Sequence, residues 1–380
     1  MPANHDAEPS PLRVLWITSS GGTPASSRPD IALGAGLASA GVALRIIAPE
    51  GSHCARAVEG AGLPLAGTLP QRWWGRSLRA WLRKGCEDDG IEIVHLFDRP
   101  AVSLALPALR DLPVAIVMRH DRTGGVQRWN PFARMAQLHP RIDRVVCTCE
   151  AARAELARRR DPATVLAIRP GHRLDWYTGK PADLQRFGVP RDAFTVAVVG
   201  NYRPRKGIEY VIDAAQWLPL DAPVHFLLVG AGLANRSVLE RITRSPLHDR
   251  FHLLGHRVDA PQITAACAVA VRGAFRREGI PQTIVEAMAS AVPPVITDTG
   301  GARELVGPGD AGILVRPRSA RAIGEALLWL LEHPEERRDM GRAARNRIAE
   351  HFPLEHAIDQ HLILYRDLRA ALAQRAPSGV

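Results

Sequence analysis

The sequence predicts an α/β protein with two domains, each built around a parallel β-sheet. Short apolar runs, such as RVLWIT at 13–18 and ALRIIA at 43–48, alternate with helical patterns along the chain. Uninterrupted apolar runs of this length are typical of parallel strands that are buried on both faces. The 380 residues, 46% of them hydrophobic, are enough to fill two cores.

The predicted strands fall into two series. The first series comprises the apolar runs at 13–18, 43–48, 91–96, 113–118 and 144–148. A polar stretch rich in Gly and Pro, at 169–192, is interpreted as the connection between the domains. The second series comprises the runs at 194–200, 224–230, 251–254, 268–271, 294–297 and 312–315. Two such series predict two Rossmann-like domains that face each other across a cleft, with ligands beyond the carboxyl ends of the strands.

Composition limits the function classes. The formal charge of +10 favours anionic partners such as phosphates, nucleic acid or acidic lipid, without choosing among them. Aromatic residues make up only 5% of the chain, and no long basic stripe is interleaved with them, so a nucleic-acid partner is not expected. The five cysteines are odd in number and scattered, which predicts neither a disulfide framework nor a zinc site.

Targeting signals are not evident in the sequence. The first twelve residues, MPANHDAEPSPL, lack the basic segment and apolar run of a signal peptide. No apolar stretch reaches the roughly 18 residues that a membrane-spanning helix needs. We therefore expect a cytoplasmic protein, with no metal and no cofactor, because no cluster of metal-ligating residues is visible either.

A basic loop follows the first strand of the second series. GNYRPRKG, at 200–207, runs from Gly200 to Lys206 and Gly207 before the helical pattern IEYVIDAA. Backbone N–H groups, the positive end of a helix and side-chain cations together form a typical phosphate site. The alternative is a basic loop that is merely solvated.

The segment REGIPQTIVE, at 277–286, sets two glutamates eight positions apart. Such a pair could supply an acid and a base, or it could hold a ligand. Pro281 suits the first turn of a helix, which would leave Glu278 in the preceding loop and put Glu286 inside the helix. A carboxylate is suited to the two hydroxyls of a ribose, although Glu286 could also be an ordinary helix residue.

Residues 194–352 resemble the donor domain of the retaining nucleotide-sugar glycosyltransferases of family 4, which have the GT-B fold. The resemblance rests on the loop 200–207, REGIPQTIVEAMASAVPPVITDTGGARELV (277–306), AGILVRP (311–317) and MGRAARNRIAEHF (340–352). In the first half, shorter matches are SSGG (19–22), MRHD (118–121) and IDRVVCTCEAARAEL (142–156). The resemblance implies an N-terminal acceptor domain at 1–180, a donor domain at 190–353, and a last helix at 354–380 that packs back on the first domain.

The resemblance also implies a role for each matching residue. Lys206 would bind the donor diphosphate, and Glu286 the ribose hydroxyls. His120 would face the transferred sugar. The remaining implied contacts are Glu278 with the backbone of Gly279, Ile280, Pro281, Gln282 and Thr283 on the sugar hydroxyls, Gly21 and Gly22 on the phosphate and acceptor side, and Arg257, within GHRVD, at the base.

The sequence departs from the family pattern at two places. Asn201 stands where the family usually has a basic residue, so Arg203 or Arg205 must supply the second phosphate cation, and we favour Arg203. Ala291 replaces a glycine in the small-residue step ASAVP, a change expected to alter packing only.

The expected activity is retaining transfer of a sugar from a nucleotide-diphosphate sugar to a glycan, lipopolysaccharide-type or glycolipid acceptor. The family pattern implies a metal-independent, front-face course in which the leaving phosphate takes the acceptor's proton. The alternative is a nucleotide-sugar epimerase, or another nucleotide-sugar-binding protein on the same fold.

The segment QRWWGRSLRAWLRKG, at 71–85, has the composition of a helix that contacts a membrane surface. On a helix it would place Arg72, Arg76, Arg79 and Arg83 on one stripe beside Trp74, Leu78 and Trp81. Tryptophans beside a basic face suit the surface of an anionic membrane. The alternative is a domain helix whose apolar side faces the sheet.

Overall fold

The chain is described by a computed structural model over residues 10–69, 76–124, 126 and 129–375. The strands of the first domain are β1 Leu12–Ile17, β2 Val42–Pro49, β3 Leu65–Leu69, β4 Ile93–Leu96, β5 Ala115–His120, β6 Arg144–Cys147 and β7 Val165–Ala167. They form one parallel sheet in the order β3-β2-β1-β4-β5-β6-β7.

The helices of the first domain connect these strands. They are α1 Pro24–Ser39, α2 His53–Gly60, α3 Arg76–Asp88, α4 Arg99–Leu109, α5 Pro131–Arg134 and α6 Glu150–Ala157. Short polar residues set several of their beginnings. Asp98 accepts a hydrogen bond from the N–H of Ala101 at 2.9 Å, which fixes the start of α4 at the carboxyl end of β4.

The second domain has the same architecture. Its strands are β8 Phe194–Val199, β9 Val224–Val229, β10 Phe251–Gly255, β11 Val269–Arg272, β12 Pro294–Thr297 and β13 Ile313–Val315, in the parallel order β10-β9-β8-β11-β12-β13. Its helices are α7 Ile208–Asp213, α8 Arg236–Arg244, α9 Ala260–Ala265, α10 Gln282–Ala289, α11 Ala302–Val306, α12 Ala320–Glu332 and α13 Pro334–His351.

The last helix, α14 Leu354–Arg375, packs on the first domain. Tyr365 is fully buried there: its hydroxyl accepts a hydrogen bond from Trp16 Nε1 at 3.0 Å and lies 2.7 Å from His95 Nδ1. The chain therefore crosses between the domains twice. The two crossings lie side by side, since His172 pairs with Pro353 in an isolated parallel bridge.

The predicted fold class is confirmed: two parallel α/β units of Rossmann-like strand order face each other. Strands β3 and β7 were not predicted. Both lie at the edges of the sheet, where β3 is interrupted by Gly67 and β7 is only three residues long.

One expectation about the second domain is wrong. Ala291, which was expected to alter packing only, has a φ of 60°, in the left-handed region. The methyl group therefore costs about 1 kcal/mol of backbone energy relative to the glycine that the family pattern has there. This residue ends the turn after α10, the helix that carries Glu286.

Candidate functional site

The basic loop after β8 forms a tight turn that ends at α7. Residues 204–206 make one 3-10 turn, and Gly207 follows with a φ of 64°. A Cβ atom at Gly207 would collide with the carbonyl oxygen of Gly273, so the loop needs glycine at this point. Asn201 has a structural contact: its side-chain oxygen accepts a hydrogen bond from the N–H of Ala231 at 2.9 Å.

Glu278 is the centre of a buried charge cluster. Its carboxylate lies 3.1 Å from Lys206 Nζ and 3.1 and 3.3 Å from Arg272 Nη2, and only 7% of the residue is exposed. Burial by itself would raise the pKa of Glu278, but Arg272 and Lys206 outweigh burial and lower it. The pKa of Lys206 is also lowered, because burial and Arg272 oppose its charge more than Glu278 favours it. Glu278 is therefore ionised at neutral pH.

Arg272 was missed in the sequence analysis. It is the last residue of β11 and is buried, with Nη1 3.3 Å from the carbonyl oxygen of Val199 and no hydrogen-bond partner for Nε in the described structure. A signal was present in the sequence, because AVAVR places an arginine directly at the carboxyl end of a predicted strand. Arg203, the favoured second cation, is instead exposed and lies near Arg205.

The segment that carries Glu278 meets the first domain. The N–H and the hydroxyl of Thr123 both donate to the carbonyl oxygen of Glu278, at 3.2 and 3.1 Å. A Cβ atom at Gly279 would collide with the carbonyl oxygen of Asp121. Ile280 packs against the cores of both domains. The loops 121–124 and 277–280 thus close the cleft at this point.

Helix α10 begins close to its predicted position. Pro281 is the residue before the helix and Gln282 is the first residue in it, so the N–H groups of Gln282 and Thr283 lie at the helix start. Arg277, just before Glu278, has a φ of 56°, which is a strained conformation for a residue with a side chain. Strain of this kind is common where a backbone is held for binding.

Glu286 lies within α10 and is as buried as Glu278, with 7% of the residue exposed. Its surroundings differ, because Gln282 Nε2, at 3.4 Å, is its hydrogen-bond donor and Arg28 of α1 is the cation nearby. Burial raises the pKa of Glu286 to about 7, against the smaller opposing effects of Gln282 and Arg28. Gln282 Nε2 also lies 3.5 Å from the hydroxyl of Tyr177, in the connection between the domains.

His120 ends β5 and is buried. Its Nδ1 lies 3.3 Å from the side-chain amide of Gln137. The atom of this amide that faces His120 also lies 2.9 and 3.1 Å from Arg99 Nε and Nη2. Because both arginine atoms are donors, the atom is the amide oxygen of Gln137. Burial lowers the pKa of His120 to about 4; Asp121 opposes this shift, whereas Arg99 adds to it. His120 is therefore neutral at physiological pH, with its proton on Nδ1 and the Nε2 lone pair available to a ligand.

A cavity of about 230 Å³ opens beyond the carboxyl ends of β1, β4 and β5. Gly22, Asp30, Asp98 and Arg122 are among its lining residues. Gly21 borders the same loop, where its carbonyl oxygen accepts a hydrogen bond from the N–H of Cys54 at 3.0 Å. Polar groups that face a cavity of this size suit a ligand with many hydroxyls.

Arg257 lies in the loop after β10. Its guanidinium forms two hydrogen bonds with Asp259, at 2.7 and 2.8 Å, and stacks 4.9 Å from the ring centre of Phe187. The structure gives no contact between this arginine and the Glu278 cluster.

The segment 71–85 is described only in part. Residues 70–75 and the side chains of 76–78 lie outside the described residues, and with them Arg72, Trp74, Arg76 and Leu78. Trp81 lies against Gly67 and is 44% exposed. No helix in the described part of the chain combines the length and the apolar character needed to span a membrane. Among the described residues, no group of three or more His, Cys, Asp or Glu side chains is placed to hold a metal ion.

Comparison with known proteins places the two domains in known families. A model described as Glycosyl transferases group 1 matches residues 180–347, and one described as Glycosyltransferase Family 4 matches residues 31–176. The structure of HepE from Anabaena in complex with UDP superposes with a TM-score of 0.81 at 22% identity, over 94% of this chain and 100% of that chain. At this identity the likeness shows the fold. The two family models, which together match residues 31–176 and 180–347, define the class: the chain is a glycosyltransferase of these families.

Curated relatives agree with this class. A D-inositol 3-phosphate glycosyltransferase from Gordonia bronchialis is 31% identical over 261 residues, 63% of this chain and 56% of that protein. A phosphatidyl-myo-inositol mannosyltransferase from Mycobacterium leprae is 27% identical over 284 residues, 71% of this chain and 72% of that protein. The chain spans between 48% and 64% of the length of the first curated relatives. It belongs to the GT-B glycosyltransferases of the family 4 type.

Proposed function

We propose that the protein is a retaining glycosyltransferase that moves a sugar from a nucleotide-diphosphate sugar to a glycan, lipopolysaccharide-type or glycolipid acceptor. The observation that carries the proposal is the buried cluster of Lys206, Arg272 and Glu278 at the place where the two domains meet. Two fixed cations beside an ionised carboxylate suit a diphosphate that is joined to a sugar. The curated relatives are named glycosyltransferases, which favours transfer over the epimerase alternative.

On the donor side, Lys206 and Arg272 would hold the diphosphate, with Arg203 or Arg205 at its edge. Glu286 would accept hydrogen bonds from the two ribose hydroxyls. The base would lie near Arg257 in the loop after β10.

The sugar hydroxyls would bind Glu278 and the backbone of the segment that follows it. The proposed contacts are the Glu278 carboxylate and the backbone of Gly279, Ile280, Pro281, Gln282 and Thr283. Because Glu278 is ionised, it accepts hydrogen bonds from hydroxyls and has no proton to donate to a leaving group. Its contribution is to position the sugar.

In the proposed chemical step, negative charge develops beside the side chains of Lys206 and Arg272. As the bond between the anomeric carbon and the diphosphate oxygen breaks, negative charge grows on the phosphate, and Lys206 and Arg272 stabilise it. The acceptor oxygen attacks the same face of the sugar, and its proton passes to the leaving phosphate. The positive charge comes from side chains, so we expect activity to be unchanged by a chelator.

On the acceptor side, the cavity beside Gly21 and Gly22 would take the acceptor. His120 directly precedes Asp121, which lines this cavity. The available Nε2 of His120 would accept a hydrogen bond from a hydroxyl of the transferred sugar.

We propose that the protein is cytoplasmic and that α3 contacts the surface of an anionic membrane as a peripheral attachment. The supporting observation is that Arg79, Trp81 and Lys84 are exposed on this helix. Arg76→Glu combined with Arg79→Glu would then lose binding to liposomes that contain anionic lipid. Unchanged liposome binding would dispose of this contact.

The proposed function is tested with a panel of nucleotide sugars. Each compound is scored for the rise in melting temperature that it causes and for slow hydrolysis of the donor in the absence of acceptor. We expect one nucleotide series to stabilise the protein clearly more than the others. If no nucleotide sugar and no nucleoside diphosphate binds, the proposal fails.

A further inference from the structure

Beside the Glu278 cluster lies a second group of cations, contributed by both domains. Arg99 is the first residue of α4, and Arg122 lies in the loop after β5. Arg205 lies in the 3-10 turn after β8, and Arg277 directly precedes Glu278. We call Arg99, Arg122, Arg205 and Arg277 the arginine group.

The loop 121–124 brings the arginine group together. Thr123 bonds to the carbonyl oxygen of Glu278, so Arg122 is held at the donor domain. A Cβ atom at Gly124 would lie 3.2 Å from Cγ of Arg277, which places that side chain on the same loop. Arg99 reaches the same region through Gln137, beside His120.

The charges of the arginine group act on one another. The pKa of Arg99 is lowered by burial, then by Arg122 and Arg277. The pKa of Arg205 is lowered by burial, and Arg122 is the largest charge that acts on it in the same direction. Like charges held this close are costly unless an anion is shared among them.

Within the described part of the chain, none of the four guanidinium groups forms an ion pair with a carboxylate. The nearby carboxylates are already engaged: Glu278 by Lys206 and Arg272, and Asp121 by Arg119 at 2.8 Å. Arg205 Nε is buried and has no hydrogen-bond partner in the described structure. Among the described residues, the arginine group therefore has no carboxylate of its own, although Glu278 partly offsets the charge of Arg205.

The donor cannot supply all of the missing negative charge. Among the described residues, the arginine group together with Lys206 and Arg272 presents six cations, against the single carboxylate of Glu278. The two ionised phosphates of a nucleotide sugar would leave several of these cations unmatched. Since Arg99 and Arg122 belong to the first domain, the unmatched charge lies on the acceptor side.

We infer that Arg99, Arg122 and Arg277 form a second anion subsite, which binds a phosphate group carried by the acceptor. The inference rests on the proposed function and narrows its acceptor to a phosphorylated compound. Arg205 lies between this subsite and the donor diphosphate. Guanidinium groups suit the role because each can donate two parallel hydrogen bonds to phosphate oxygens.

The phosphate could belong to a soluble sugar phosphate or to a lipid headgroup. Trp129, Phe132 and Met135 lie just before Gln137 in the chain and are 78%, 69% and 58% exposed. Exposed apolar side chains in the segment that leads to Gln137, the partner of Arg99, would contact the acyl region if the phosphate belonged to a lipid. The experiment therefore needs one arm for each source.

The subsite is tested on protein saturated with the nucleoside diphosphate that the panel selects, so that the donor site is filled. Inorganic phosphate and glycerol 3-phosphate are titrated by calorimetry. We expect saturable binding that Arg99→Gln and Arg122→Gln each weaken by roughly tenfold or more, the loss of a charged hydrogen bond. Arg110→Gln, at the exposed far end of α4, is the matched control and should bind phosphate like the parent.

Two further measurements distinguish loss of the subsite from damage to the fold. Arg99→Gln should keep its melting temperature and its affinity for the nucleoside diphosphate, and Arg99→Lys should recover part of the phosphate binding. No saturable phosphate binding in the parent, or equal binding in Arg99→Gln and Arg110→Gln, would overturn the subsite. Failure of every nucleoside diphosphate to bind would instead overturn the proposed function.

The source of the phosphate is assigned with phosphatidylcholine vesicles that contain or lack phosphatidic acid, and every protein compared, the parent included, carries Arg76→Glu and Arg79→Glu, which remove the membrane contact proposed for α3. If the phosphate belongs to a lipid, the parent binds only the vesicles with phosphatidic acid. Arg122→Gln and the double variant Trp129→Ser with Phe132→Ser then lose this binding, while the double variant keeps inorganic phosphate. A soluble phosphorylated acceptor is supported by two results together. The parent and Arg122→Gln bind each vesicle type equally, and Arg122→Gln no longer binds inorganic phosphate.

Discussion

Glu278 and Glu286 are eight residues apart and equally buried, yet their surroundings move their pKa values in opposite directions. Lys206 and Arg272 lower the pKa of Glu278, whereas burial raises that of Glu286 to about 7. Pro281 causes the difference, because the first carboxylate is in a loop that faces the cations and the second is inside α10. Spacing in the sequence therefore does not make two carboxylates an acid–base pair. Their environments decide what each can do.

The largest effect is expected when one of the two cations beside Glu278 is removed. We expect Lys206→Ala to lower kcat by roughly 100-fold to 1000-fold, because the growing charge on the leaving phosphate loses a fixed partner. Donor KM should change far less. Steady-state kinetics with Lys180→Ala, an exposed lysine in the connecting segment, as control would check this. A variant with normal kcat would remove Lys206 from the chemical step.

The corresponding change at the second glutamate of the pair is Glu286→Ala. It should weaken donor binding by roughly tenfold to 100-fold, the loss of charged hydrogen bonds to the ribose, while kcat at saturating donor changes less. Calorimetric titration of the nucleoside diphosphate gives the affinity, and Glu240→Ala on α8 is a surface control. Unchanged donor binding would count against the assignment of Glu286 to the ribose.

The pH dependence of stability should carry opposite signs for the two glutamates. A carboxyl whose folded pKa is raised from 4.5 to about 7 stabilises the fold below pH 4.5 and loses that contribution as the pH rises to 7. Glu286→Gln should therefore be more stable than the parent near pH 8, by roughly 2 kcal/mol, and similar to it near pH 4.5. Glu278 has a lowered pKa, so its contribution is present above pH 4.5 and lost below.

Urea unfolding at both pH values measures this difference. The same gap between Glu286→Gln and the parent at each pH would mean that the raised pKa of Glu286 is not present in the folded protein.

The smallest expected effect concerns the end of the helix that carries Glu286. Ala291→Gly should stabilise the protein by about 0.5 kcal/mol or less, because relief of the left-handed strain is largely offset by the extra entropy of glycine in the unfolded chain. The melting temperature should rise by a few degrees at most. Ala289→Gly, within α10, is the control and should be destabilising.

The sequence predicted the fold well because parallel strands that are buried on both faces leave continuous apolar runs. It predicted the loop 200–207 and the segment 277–286 because glycine, proline and charge mark them locally. Arg205 was a candidate phosphate ligand from the sequence, but Arg272, Arg99, Arg122 and Arg277 were not predicted, since their importance depends on which residues distant in the chain lie together. The left-handed conformation of Ala291 was missed because alanine gives no local signal for positive φ.

The double crossing at His172 and Pro353 has a consequence for synthesis of the chain. Trp16 and His95 precede the donor domain in the chain and their partner Tyr365 follows it, so Tyr365 leaves the ribosome only after the donor domain has been made. The donor domain is continuous in the chain and can fold while α14 is still being made. The first domain therefore begins before the donor domain and is completed after it, and a chain truncated before residue 354 would expose the apolar face that α14 covers.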